Sequence, residues 1–150
     1  MKVLGIIPAR YSSLRFPGKP LVDIAGKSMI QRVYEQAIKC KDLNKVFVAT
    51  DDDKIFNHVK LFNGNVIITS SNHQSGTDRL QEVAKLLDLP PKHKVVNVQG
   101  DEPLIPPEAI NQVASNLAAR DSVGVATLFK PIDNYEDFSD KNVVKVVIDN

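Results

Sequence analysis

A chain of 150 residues is long enough for one domain with a real core and too short for two comfortable ones. Its 43% hydrophobic and 25% charged residues are ordinary for a soluble globular protein. A formal net charge of +1 excludes the broad basic field that nucleic-acid binding uses, so any attraction for phosphate must come from a local cluster of cations.

The first apolar run, Val3-Leu4-Gly5-Ile6-Ile7, is nearly continuous, as expected for a strand buried on both faces. After a polar loop, Ile30, Val33, Tyr34, Ala37 and Ile38 recur at helical spacing. Val46 to Thr50 is a second buried strand, and Asp52 can cap a helix whose apolar face carries Ile55, Phe56, Val59 and Phe62. Val66-Ile67-Ile68 is a third strand. Ser75 or Thr77 then opens a helix with Leu80, Val83, Ala84 and Leu87 on one face. Val95 to Val98 is a fourth strand, and Pro106-Pro107 leads into a helix bearing Ile110, Val113, Ala114 and Leu117. Val123 to Phe129 and Val143 to Ile148 are expected as the last strands, around a polar segment, 133–142, without clear periodicity.

This alternation predicts an α/β fold with a mostly parallel sheet and helices on both faces. Ligands in such folds bind outside the carboxyl ends of the strands. The apparent last strand stops two residues before the chain does, so residues 1–150 are expected to be part of a single larger domain. Cys40 is the only cysteine and falls in a helical run, which makes it a packed structural residue. The N-terminus has no signal-peptide pattern, and no apolar stretch reaches the roughly 18 residues of a membrane span. The expected setting is a reducing cytoplasm, with neither membrane nor nucleic acid as partner.

The segment from Pro8 to Pro20 follows the first strand and holds Arg10, Arg15 and Lys19 among three prolines and Gly18. Arginine forks suit phosphate oxygens, lysine acts as a point charge, and a Pro-Gly bend can turn backbone N–H groups toward an anion. A solvated surface loop is the plain alternative. The position at a strand end favours a grip on a nucleoside triphosphate. No P-loop or dinucleotide fingerprint is present.

Asp101 follows the fourth strand beside Gly100, where a carboxylate can hold Mg²⁺ against substrate phosphates. Glu102 is less favoured, because adjacent extended residues point to opposite sides. Gly76 permits close backbone approach before the third helix, and Arg79 could reach a base or phosphate, although simple capping explains this corner almost as well. Thr50 to Asp53 reads as helix capping and dipole pairing. His73 can line the pocket, whereas His58 and His93 are expected at the surface. Nothing in the order of residues suggests covalent catalysis.

The blocks Ile7-Pro8-Ala9-Arg10, Ser13, Arg15 to Leu21, Thr50-Asp51, Gln74 to Arg79, Asn97 to Pro103 and Val143 to Ile148 occur in order across nearly the whole chain. Together they resemble the 3-deoxy-manno-octulosonate (Kdo) cytidylyltransferases, also called CMP-Kdo synthetases. CMP-sialic acid synthetases are similar in the first block. They usually carry a Gln-Pro-Thr-Ser-Pro type motif where this chain has Gln99-Gly100-Asp101-Glu102-Pro103.

The resemblance implies a Rossmann-like nucleotidyltransferase fold whose C-terminal part is missing from this chain. Arg10 and Lys19, assisted by Ser13 and Arg15, would hold the CTP phosphates. The backbone of Pro8 and Ala9, with Gly76 and Arg79, would surround cytosine. Gln99 would face the ribose or the sugar, and Asp101 would bind Mg²⁺. Arg10, Lys19 and Asp101 are then the expected catalytic residues. The implied reaction makes CMP-Kdo and pyrophosphate from CTP and Kdo for lipopolysaccharide synthesis, in a homodimer. Family members are longer, and their remainder supplies most sugar contacts, a second metal-binding Asp and the dimer surface. A nucleotide-binding unit without turnover is therefore the alternative for these 150 residues alone.

Overall fold

The computed structural model describes residues 2–12, 16–120 and 122–148. Strand β1 (Val3–Ala9) is followed by a 3-10 turn (Lys19–Leu21) and a small antiparallel hairpin, β2 (Asp23–Ile24) and β3 (Lys27–Ser28). Then come α1 (Met29–Ala37), β4 (Lys45–Thr50), α2 (Asp53–Leu61), β5 (Val66–Ile68), α3 (Gly76–Leu86), β6 (Lys94–Asn97), α4 (Pro107–Ala118) and the short α5 (Tyr135–Ser139). The four longer-range strands form one parallel sheet in the order β5-β4-β1-β6.

The expected continuous apolar strand is present in β1, where Ile6 and Ile7 are both fully buried. Successive residues of a strand face opposite ways, so these two side chains enter different layers. Ile7 joins α1, α2 and α4 through Val33, Ile55 and Ala114, while Ile6 packs with Leu80 and Val83 of α3. Helices therefore cover both faces, as the alternating pattern predicts. Each fully buried isoleucine, such as Ile6, Ile7, Ile30 and Ile55, contributes about 1.5–3 kcal/mol of transfer free energy.

The helix starts follow from side-chain caps. Ser28 accepts from Gln31 N at 3.2 Å, and Asp52 accepts from Lys54 N at 2.8 Å and Ile55 N at 3.1 Å. Of the two residues proposed to open α3, Ser75 is the cap, in a reciprocal box with Asp78. In α4, Pro107 takes the first helical position, where its missing N–H costs nothing.

The chain runs from β1 outward to β4 and β5, then crosses back to place β6 on the other side of β1. The crevice at the carboxyl ends of β1 and β6 is the topological switch point of this sheet.

Three expectations are corrected. Val123 to Phe129 and Val143 to Ile148 form no strand, and Val125, Val144 and Val147 are 81%, 94% and 93% exposed. A strand needs a neighbour to complete its ladder, and no strand among the described residues pairs with either segment. Ile38 caps the end of α1 and is 54% exposed instead of joining its apolar face. The polar segment 133–142 does contain a helix, α5, which Asn134 caps by accepting from Asp137 N at 2.7 Å. Among the described residues no helix is long and apolar enough to cross a membrane.

Candidate functional site at the carboxyl ends of two strands

The backbones of the two strand ends touch. A Cβ on Gly100 would lie 2.7 Å from the carbonyl oxygen of Pro8, a distance that real Cβ atoms do not adopt. Glycine is therefore required for the segment after β6 to approach the end of β1. The next residue, Asp101, is thereby carried to the mouth of the first loop, where its Oδ2 lies 2.7 Å from Lys19 Nζ. Both side chains keep substantial exposure, 36% for Lys19 and 51% for Asp101, so a ligand can reach them.

Lys19 is held in place by local loop chemistry. Gly18 adopts φ +72°, which glycine tolerates best, and donates its N–H to Tyr11 O at 2.8 Å. The Tyr11 ring packs over Gly18, and Lys54 of α2 sits 4.5 Å from the ring centroid on a cation–π contact. Pro20 is buried and anchors the 3-10 turn that carries Lys19. Ser13 and Arg15 lie outside the described residues.

Arg10 follows β1 directly and donates from Nη2 to the backbone carbonyl of His73, with a long 3.5 Å contact to Ser75 O. It thus joins the end of β1 to the loop before α3. His73 does belong to this corner through its carbonyl, while its Nε2 is hydrogen-bonded to Glu82. Glu82 also accepts from Ser70 N at 2.9 Å, and these two bonds, His73 first, hold its carboxyl below the ordinary value of 4.5. Gly76 starts α3 against β1: a Cβ there would lie 3.5 Å from Pro8 Cγ, an ordinary contact. Asp78 is likewise lowered by the Ser75 hydroxyl and then the Ser75 N–H, so the first turn of α3 already carries its own ionised partner.

Arg79 departs from expectation. Its side chain is fully buried, with Nη2 donating to Asp51 Oδ2 at 3.0 Å and Nη1 donating to Thr69 Oγ1. The guanidinium is turned into the protein and does not line the exposed site at Lys19 and Asp101. Asp51 also differs from the simple capping role expected for its run: Asp52 caps α2, while Asp51 pairs with Arg79. His58 and His93 are half-buried, and His58 Nε2 is 2.7 Å from Ser28 Oγ.

Gln99 is exposed and borders a cleft of about 450 Å³ beside β6, which Thr77, Asn97, Ile110 and Leu128 also line. Neither Lys19 nor Asp101 lines that cleft. Glu102 is exposed, and its N–H makes a long turn contact with Gln99 O at 3.4 Å. Among the described residues no group of three His, Cys, Asp or Glu side chains could by itself hold a metal. The donor set at Asp101 is a single carboxylate, which suits an ion that takes its other ligands from phosphate and water, as Mg²⁺ does.

Sequence reasoning did not anticipate Lys54, Thr69 and Glu82. Lys54 and Glu82 carry no local sequence signal, and only tertiary placement brings them to the loops.

Residues 4–150 match the sequence family described as Cytidylyltransferase. A protein of Saccharophagus degradans named 3-deoxy-manno-octulosonate cytidylyltransferase is 56% identical over 149 residues, which is 99% of this chain and 58% of its own length. A protein of Cellvibrio japonicus with the same name is 57% identical over 144 residues, 96% of this chain and 56% of its own. A solved structure of a CMP:2-keto-3-deoxy-manno-octonic acid synthetase complexed with CTP superposes with a TM-score of 0.76 at 42% identity, covering 82% of this chain and 50% of that one. The chain thus spans little more than half the length of the curated relatives it matches.

Proposed function

This chain belongs to the cytidylyltransferase family, and on that premise we propose that it is the CTP-binding part of an enzyme that transfers CMP to Kdo. The observation that carries this reading is the meeting of Lys19 and Asp101 at 2.7 Å across the switch point between β1 and β6. A solvent-accessible cation and a carboxylate from separate loops are the two charges that a metal-bound triphosphate needs. The names of the relatives, at 56% and 57% identity, support Kdo as the sugar.

In this reading Arg10 and Lys19, with Ser13 and Arg15, hold the CTP phosphates. The backbone of Pro8 and Ala9 and the α3 start at Gly76 flank the base. Gln99, which lines the cleft beside β6, faces the ribose or sugar. Asp101 holds Mg²⁺, which when bound supplies positive charge to the phosphates. The sugar's anomeric hydroxyl attacks the α-phosphorus, a new P–O bond forms, and the bond to the bridging oxygen breaks. Pyrophosphate departs with that electron pair, and the hydroxyl proton passes to solvent. Lys19 and Arg10 stabilise the charge that grows on the phosphate oxygens, so positioning and electrostatics do most of the work. The product is a building block for lipopolysaccharide, and the whole enzyme works as a cytoplasmic homodimer.

Release of pyrophosphate by the full-length protein tests the reading, with each of the four nucleoside triphosphates against Kdo and sialic acid. CTP with Kdo and Mg²⁺ is expected to be the productive set, and equal rates with sialic acid would sink the sugar assignment. A second reading applies to residues 1–150 alone, since they span 58% of the first relative: CTP binding with little turnover. Titration with CTP and no pyrophosphate at long times supports it.

A further inference from the structure

The largest fully buried side chain among the described residues is a charged one, Arg79. Its guanidinium has one carboxylate partner, Asp51, and one hydroxyl partner, Thr69, and its Nε has no hydrogen-bond partner. Five N–H donors are thus served incompletely, and withdrawing an ion pair from water costs about as much as the pair returns. Stability is a poor reason for this arrangement. Its location supplies a better one.

Asp51 directly follows β4, and Thr69 directly follows β5, where Thr69 Oγ1 and N reach Thr50 O at 3.2 Å and 2.9 Å. Arg79 sits in the first turn of α3 and joins both strand ends to that turn. At the start of the same turn Gly76 rests against Pro8, and in the loop just before it the carbonyl of His73 accepts from Arg10. The loop from Thr69 to Ser75 is therefore clamped at one end by Arg79 and at the other by Arg10.

We propose that Arg79, with Asp51, is a positioning residue for the nucleotide site: from inside the fold it sets where the start of α3 stands against Pro8 and Arg10, without touching the nucleotide. This rests on the CTP reading above. Arg79 and Asp51 act as one unit, so loss of either partner has the same consequence.

The test compares Arg79→Lys, which keeps the charge and loses the fork, with Asp51→Asn and the double variant, all in the full-length protein. Calorimetric CTP binding, KM and kcat are measured beside thermal stability. Both single variants are expected to raise the CTP Kd and KM about tenfold with kcat little changed, and the double variant to match the singles instead of multiplying them. In nucleotide-free protein, hydrogen exchange is expected to accelerate at Ser75 to Asp78 in both. Weak CTP binding in Arg79→Lys alone, with Asp51→Asn unaffected, overturns the proposal in favour of direct contact with the nucleotide. Lower thermal stability with unchanged CTP affinity overturns it in favour of a purely structural pair. Failure of the unaltered protein to bind CTP refutes the CTP reading instead, and the exchange measurement still decides whether the pair fixes the start of α3.

Discussion

Lys19 Nζ and Asp101 Oδ2 are 2.7 Å apart, so the cation and the carboxylate at the mouth of the site neutralise each other when no ligand is bound. Asp101 is exposed and Lys19 half-buried, both within reach of solvent, and such a surface pair is worth only about 0–1 kcal/mol. It is therefore easily opened. A phosphate drawing Lys19 away leaves Asp101 free for a cation, and a cation on Asp101 leaves Lys19 free for a phosphate.

Replacing either residue separates these roles. Lys19→Ala and Asp101→Ala are each expected to cut turnover by about an order of magnitude or more, because both charges act on the reacting phosphates. Without metal the two diverge. In chelator, Asp101→Ala binds CTP at least as tightly as the unaltered protein, since Lys19 has lost its competitor, whereas Lys19→Ala binds more weakly. Isothermal titration reads both, and equal weakening in the two variants would show that the pair does not compete with the nucleotide.

Cys40 is predicted to be inert. Burial, helped by the carboxylates of Glu108 and Asp42, pushes its thiol up to about 11. Its Sγ lies 3.5 Å from Pro107 O and 3.7 Å from Gln36 O, where the end of α1 meets the start of α4. Iodoacetamide at neutral pH should leave the folded protein unmodified and label it promptly after unfolding in urea. Rapid labelling of the native protein would contradict this packing.

The parallel sheet was legible because strands buried on both faces are written as unbroken apolar runs, as in β1 and β4. The meeting of Lys19 and Asp101 was legible because both follow parallel strands, whose carboxyl ends lie at one edge of such a sheet. Arg79 was not. Charged residues are seldom fully buried, and nothing local reveals that the first turn of α3 faces Asp51. The β2–β3 hairpin was hidden for another reason: its turn residues, Ala25 and Gly26, have φ of +51° and +82°, and the usual Asn-Gly or Asp-Gly signature of such turns is absent. Asp23 stands in by accepting from Gly26 N at 3.0 Å. Val143 to Ile148 shows the converse, a strand-like composition that stays unpaired among the described residues.

The His73–Glu82 contact makes part of the stability pH-dependent. Glu82 is held below 4.5 in the folded protein, so the unfolded chain binds its proton more readily than the native one. Its contribution is complete above that ordinary value and is lost as pH falls through the lowered native one. Urea denaturation of the unaltered protein and Glu82→Gln across a pH series should show a stability gap near neutrality that closes under acid conditions. A gap of constant size down to strongly acid pH would detach Glu82 from the loop that anchors Arg10.

Two glycines at the site should behave oppositely. In Gly100→Ala the new Cβ meets the Pro8 carbonyl oxygen at 2.7 Å, and that oxygen belongs to the central strand, so neither side yields cheaply. Overpacking of this kind costs about 1–3 kcal/mol, and it moves Asp101, the adjacent residue, away from Lys19. Stability and turnover should fall together. In Gly76→Ala the new Cβ lies 3.5 Å from Pro8 Cγ, an ordinary contact, and alanine is the better helix former. Thermal stability should hold or rise slightly. A base lying against the start of α3 would meet the added methyl, so the CTP Kd should increase while the melting temperature does not drop. Unchanged CTP affinity in Gly76→Ala would remove the α3 start from the wall of the base pocket and leave Pro8 and Ala9 as its remaining flank.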